Sequence, residues 1–179
     1  VVNKKRFTIL ADSGDNPTAG GVGSRIDVLE YVIKNKIENS LFAGIFNEEI
    51  FRELKNKKNK IVIKDSISKK KISISIDKFY LKNDNAIVIS NNNTVIFTKY
   101  RKPFHYLSDF RELNINLKKY KILIVKSGYL SPELKKLKAD NFMILTDGFV
   151  TQDFKRIKNL FREKPIYPFQ KNFRYNIAI

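Results

Sequence analysis

The residues best suited to chemistry lie in one loop. Asp12 and Asp15 lead into Asn16-Pro17-Thr18-Ala19-Gly20-Gly21-Val22-Gly23. Glycines at 20, 21 and 23 let backbone N–H groups crowd together, and a following helix would add its positive end, an arrangement able to hold an anion. Two nearby carboxylates oppose a bare phosphate unless a cation bridges them, so Asp12 and Asp15 read as candidates for a cation or a substrate amine. The spacing is neither G-x-G-x-x-G nor G-x-x-x-x-G-K-[ST], which sets the dinucleotide and P-loop motifs aside. The structural alternative is a tight connection closed by Asx turns. Asn16, kept out of the helical region by Pro17, could aim its amide into a cleft. Lys126, at the end of an apolar run, could meet a substrate carboxylate, although a lysine at a strand end is commonly just solvated. Tyr129 could donate a hydrogen bond or simply pack. His105 alone has an unperturbed pKa near neutrality, and a lone histidine is more often structural than catalytic.

These residues sit in a chain of 179 residues with one His, no Cys and no Trp. About 150 residues is an ordinary single-domain size. At 42% hydrophobic residues the chain can bury a core. With no Cys there is no disulfide framework, cysteine nucleophile or thiolate metal site. One His leaves no room for a three-ligand zinc site of the usual kind, so no metal ligands are assigned in this chain. No apolar run is long enough to span a membrane, and no signal-peptide stretch opens the chain, which reads as cytoplasmic. The net charge of +17 invites nucleic acid. Yet Lys outnumbers Arg 27 to 8, and Ile (23) and Asn (18) are also abundant. That is the mark of AT-biased composition, and the lysine clusters fall at turns and element ends, so a solvated surface is the preferred reading.

The elements follow from hydrophobic periodicity. Residues 6–11 and 41–46 read as buried strands. Ser24 reads as the cap of a helix carrying Ile26, Leu29, Val32 and Ile33, and Asn47 as the cap of another carrying Ile50, Phe51 and Leu54. Residues 60–64 and 71–77 alternate as half-buried antiparallel strands, and 86–90 and 94–99 form a hairpin through Asn91-Asn92-Asn93. Residues 60–100 thus read as a β-rich antiparallel insertion. A helix is expected over 106–113, a strand over 121–126 and a helix start at Ser131-Pro132-Glu133. A strand at 142–145, a helix over 151–161 and an extended tail at 164–169 complete an α/β fold: a mixed sheet with flanking helices.

The loop 11–23 resembles the D-x-x-D-N-P-G-G-G segment that opens the C-terminal domain of the MlrC (microcystinase C-like, M81 metallopeptidase) family. Residues 124–130 (IVKSGYL) are similar to that family's strand ending in Lys-Ser, residues 145–154 (LTDGFVTQDF) to its L-T-x-G segment, and residues 162–169 (REKPIYPF) to its R-x-x-P-x-Y-P ending. The resemblance covers nearly the whole chain. It departs from the pattern at Thr18-Ala19, which interrupt the glycine run, and at Ser24, near the usual Asp.

The resemblance implies one domain, residues 1–179, of a longer two-domain protein whose N-terminal domain carries catalytic zinc. This chain alone would be inactive and would cap or complete the substrate cleft of that partner domain. The substrate would be a peptide or small amide. Loop 12–23 and the strand end Lys126-Ser127-Gly128-Tyr129 would face the cleft. The competing readings are a stand-alone phosphate or small-anion module using the glycine loop, and a basic nucleic-acid binder.

Overall fold

The computed structural model describes residues 6–56, 59–157, Tyr167, Gln170 and Arg174. The strands are β1 (Thr8–Asp12), β2 (Ser40–Phe46), β3 (Lys60–Lys64), β4 (Lys71–Ser75), β5 (Lys78–Lys82), β6 (Asn85–Ser90), β7 (Asn93–Thr98), β8 (Ile122–Val125) and β9 (Asp140–Ile144). The helices are α1 (Asp27–Lys34), α2 (Glu49–Lys55), α3 (Leu107–Arg111) and α4 (Pro132–Lys135). Seven strands form one sheet in the order β5-β6-β7-β2-β8-β1-β9, and β3 with β4 forms a separate hairpin. Strands β7, β2, β8, β1 and β9 run parallel, while β6 and β5 extend the sheet antiparallel.

Alternation along the strands builds two cores. Phe42, Val95, Phe97 and Ile124 face one side, where α1 adds Leu29 and Val32, α2 adds Ile50 and Leu54, and the hairpin adds Ile61 and Ile63. Ile9, Leu41, Ile96 and Leu123 face the other, against Phe104, Phe110 of α3 and Leu134 of α4. In β2 the alternation changes phase at a bulge between Ala43 and Ile45. Gly44 there has φ +85°, and a side chain on it would meet Phe104 at 2.8 Å. Glycine is needed both for the backbone and for the space.

The mixed α/β class matches the sequence reading, with differences of detail. Residues 60–100 are antiparallel as expected, but only β3 and β4 stand apart. Strands β5 to β7 join the main sheet, because the apolar faces of β6 and β7 are buried on both sides. The sequence reading did not anticipate β5. Asn91 and Asn92, with φ +47° and +58°, make the two-residue turn between β6 and β7. Ser24 does not cap α1, which begins after Ile26 without a side-chain cap. Its hydroxyl instead contacts Ser66 at the tip of the β3–β4 hairpin. Asn47 Oδ1 accepts from Ile50 N–H at 3.2 Å, a capping contact at the start of α2. Ser131 caps α4 as expected. The helix expected at 106–113 is shorter, Leu107–Arg111. Of the helix expected at 151–161, the described residues form one 3-10 turn, Phe154–Arg156, and residues 158–161 lie outside them. The tail at 164–169 also lies outside, apart from Tyr167.

Candidate functional site

The parallel register of β1 and β8 pairs Ala11 with Val125. The next residues, Asp12 and Lys126, therefore emerge side by side at the carboxyl ends of two buried strands, where open α/β sheets hold their functional loops. Lys126 Nζ donates to Asp12 Oδ2 at 2.8 Å, to Asp15 Oδ2 at 3.3 Å and to the Arg25 carbonyl at 2.6 Å. Its three ammonium protons each have an internal acceptor. The side chains of Lys126, Asp12 and Asp15 are only 5%, 4% and 0% exposed.

The carboxylates are satisfied as well. Asp12 Oδ1 accepts from the Thr146 hydroxyl. Asp15 Oδ1 accepts from Gly23 N–H at 2.8 Å, and its Oδ2 accepts from Arg25 N–H at 2.7 Å. Gly21 N–H donates to the Asn16 carbonyl at 2.8 Å. The Gly21 and Gly23 amides that could have cradled an anion thus serve acceptors within the loop, and the Asp15 carboxylate is itself the anion the loop encloses. Asn16 is buried, and its Oδ1 accepts from Thr18 N–H at 3.0 Å and Thr18 Oγ1 at 2.7 Å, capping the 3-10 turn Pro17–Ala19. Gly20 closes that turn with φ +101°. Gly21 leaves no room for a side chain, since a Cβ would lie 2.7 Å from Asn16 backbone atoms.

A second layer fastens this loop to β9. Ser13 N–H and Oγ both donate to the Ile144 carbonyl, at 3.1 and 2.8 Å. Gly14 N–H donates to Thr146 Oγ1 at 3.1 Å. Gly14 and Gly148 pass so closely that a Cβ on Gly148 would lie 1.8 Å from the Gly14 carbonyl oxygen. Ser127 N–H donates to the Asp12 carbonyl at 3.1 Å, and Ser127 Oγ to the Tyr129 carbonyl at 2.5 Å.

The electrostatics continue outward through Arg25, which is itself buried. Arg25 Nε donates to Asp27 Oδ2 at 2.7 Å, and Lys70 Nζ of the hairpin reaches Asp27 Oδ1 at 2.8 Å. Burial is the largest influence and works against the Arg25 cation, but the hydrogen bond to Asp27 and the charges of Asp27, Asp65 and Asp147 together outweigh it and the pKa is raised. Burial likewise opposes the Asp27 anion, but hydrogen bonds from Lys70 and Arg25 overcome it and hold the carboxyl below its ordinary value.

The structure thus brings Asp12, Asp15, Asn16, Gly21, Gly23, Lys126 and Ser127 into one packed corner. Tyr129 stands at its edge, 74% exposed. His105 lies apart: its N–H donates to Asp109 of α3, its carbonyl accepts from Ser131, and its Nε2 is buried without a partner. Sequence reasoning missed Arg25, Thr146, Gly14 and Gly148. The conspicuous segment Thr146-Asp147-Gly148 was the available signal for two of them.

Beside this corner the surface turns apolar. Tyr129, Leu130, Phe142 and Met143, with the polar Lys135 and Asn141, line a shallow cavity of about 380 Å³. Phe142, Met143, Leu145, Phe149 and Phe154 are all exposed.

Comparison with known proteins fits this architecture. No curated protein matches the chain. Among solved structures, a crystal structure of a candidate metallopeptidase from Mesorhizobium sp. BNC1 is similar, with a TM-score of 0.67 and 12% identity over 95% of this chain. The chain spans 39% of that protein's length. At this identity the likeness is one of fold. The family described as "MlrC C-terminus" matches residues 10–59 and 65–159. The chain belongs to the MlrC C-terminus family.

Proposed function

We propose that this domain completes the substrate cleft of an MlrC-type metallopeptidase, docking on an N-terminal metal-binding domain through the apolar surface around Tyr129 and β9. The observation that carries this reading is the state of β9. A parallel edge strand is normally covered on both faces, yet the three central residues of β9, Asn141, Phe142 and Met143, are all exposed. Exposed Phe142 and Met143 on an edge strand are apolar surface of the kind that marks a contact site. It lies next to the carboxyl ends of β1 and β8, so a docked partner would sit against Gly128 and Tyr129.

In this arrangement the catalytic zinc belongs to the partner. Among the described residues no three of His, Asp and Glu come together as a metal-holding group. Asp12 and Asp15 are committed to Lys126 and the loop amides, so their work is to hold loop 12–23 in shape rather than to bind metal. The substrate is a peptide or small amide, and this domain supplies wall contacts from Tyr129 and its neighbours. The chain alone is inactive.

The test begins with the reading frame. A domain-sized upstream segment carrying an Asp/His cluster supports the proposal, whereas a start codon directly before Val1 overturns it. The upstream segment, expressed separately and loaded with zinc, is then expected to bind this chain and to gain peptide hydrolysis on mixing. If its hydrolysis is the same with and without the chain, the cleft-completing role fails.

A further inference from the structure

A second cavity, of about 580 Å³, opens between the glycine loop, the carboxyl end of β2 and the tip of the β3–β4 hairpin. Ser24, Phe46 and Asp65 form its wall. Its volume is in the range of small-molecule sites. Asp65 is only 2% exposed, and its two oxygens differ. Oδ1 accepts from Ile67 N–H at 2.8 Å and Ser68 N–H at 2.9 Å, which shapes the hairpin tip. Oδ2 is buried and has no hydrogen-bond partner. Arg25, a buried cation that feels the charge of Asp65, spends its guanidinium on Asp27.

An unpartnered buried carboxylate oxygen is costly, and the donor that best relieves it is a cationic N–H. Only one oxygen is free, which suits a single ammonium rather than a forked guanidinium. The rim has the opposite preference. Glu49 is paired with Lys64 at 3.4 Å, leaving Lys69 and Lys71 against Glu48. The mouth therefore carries an excess of positive charge, and the Phe46 ring gives the space between an apolar wall.

We propose that this pocket binds a small zwitterion of the amino-acid class, its ammonium donating to Asp65 Oδ2, its apolar stem against Phe46 and its carboxylate toward Lys69 and Lys71. Oδ2 is covered, so this contact requires the hairpin tip to yield at its ties to the loop through Ser24–Ser66 and to α1 through Lys70–Asp27. The site is complete within this chain and does not depend on the docking surface at β9, so either proposal can fail alone.

The experiment titrates the 179-residue chain with three matched probes, following backbone amide shifts at Ser24, Asn47 and Ser66. L-Phenylalanine carries both charges, phenethylamine only the ammonium, and 3-phenylpropanoate only the carboxylate. L-Phenylalanine is expected to saturate with a Kd on the order of 1 mM, as its size allows. 3-Phenylpropanoate is expected to bind at least about tenfold more weakly. Asp65→Asn keeps the oxygen that receives Ile67 and Ser68, so it is expected to melt as the native chain does. It should bind L-phenylalanine and phenethylamine about tenfold more weakly and leave 3-phenylpropanoate unchanged. Absence of saturable shifts, equal binding of L-phenylalanine and 3-phenylpropanoate, or undiminished binding by Asp65→Asn each overturns the proposal. If Asp65→Asn does not fold, the ranking of the three probes on the native chain decides.

Discussion

The two ends of the seven-stranded sheet are finished in different ways. At the β5 end an antiparallel strand closes the sheet with Lys78 and Lys82 at its termini, and lysines discourage strand addition there. Phe79 packs into one core and Tyr80 against the other, so the edge is sealed from within. At the β9 end the strand is parallel and its middle lies open. Beyond its ladder with β1 and an exposed Arg6–Asp140 pair, its ties gather at its carboxyl terminus, in Lys126, Asp12, Thr146 and the close passage of Gly14 and Gly148. One end is closed and the other is open. The first relies on many small apolar contacts, the second on a few buried polar ones that nothing can replace singly.

Substitutions can break or sharpen that contrast. The largest effect is expected at Lys126→Met, which leaves Asp12 and Asp15 buried without their cation. Urea unfolding should show a loss of about 3–5 kcal/mol. A loss below about 1 kcal/mol would mean that the charge cluster is not the anchor of the β9 end. Next comes Gly148→Ala, which forces a methyl into the Gly14 carbonyl and is expected to cost about 3 kcal/mol by the same measurement. At the other end, Tyr80→Phe removes the hydrogen bond from Tyr80 Oη to the Leu113 carbonyl at 3.0 Å. Its cost is expected to be about 1 kcal/mol, because packing carries most of the seal. Phe142→Glu on β9 should leave the stability of the chain within about 0.5 kcal/mol while abolishing capture by the partner domain. A large destabilisation would show that β9 is covered by its own chain.

The smallest effect is the pH response of the outer clasp. Asp27 is held below its ordinary value, so its contribution is complete above about pH 3.9, the unfolded aspartate value. It is lost as pH falls through the lower folded value. The stability gap between the native chain and Asp27→Asn, measured by urea unfolding, should therefore be present near neutrality and close in acid. A gap that persists unchanged at low pH would assign the difference to packing instead.

How much of this was legible in the residues differs between the two ends. The buried runs at 8–12, 40–46 and 122–125 announce themselves, since a strand covered on both faces must be apolar throughout. β5 does not, because Phe79-Tyr80-Leu81 is neither alternating nor long. Asp12, Asp15 and Lys126 stand out in the sequence, but as separate groups reaching outward. Their mutual neutralisation depends on β1 lying beside β8 in one register, more than 110 positions apart in the chain, and no local pattern encodes that pairing. Arg25 was invisible for a related reason: its backbone N–H and carbonyl, rather than its side-chain type, tie it to Asp15 and Lys126. Asp65 escaped notice because an Asp followed by Ser reads as an ordinary turn. Only the fold shows that one of its oxygens is left over.

The bulge at Gly44 acts on β2 like a frameshift. Up to Ala43 the even-numbered residue Phe42 points toward α1 and α2 and odd-numbered residues point away; after Gly44 the odd-numbered Ile45 takes the helix side. The strand therefore carries two inside-outside codes joined at one residue. Deleting Gly44 would remove the extra residue, so that Ile45 follows Ala43 in ordinary alternation and keeps its side. Flattening the bulge with the residue retained is what would turn Ile45 toward Phe104 and exchange the faces beyond it. A lineage that loses one residue here therefore needs no change in the strand's outer half, whereas one that keeps the length and loses the bulge must rewrite it.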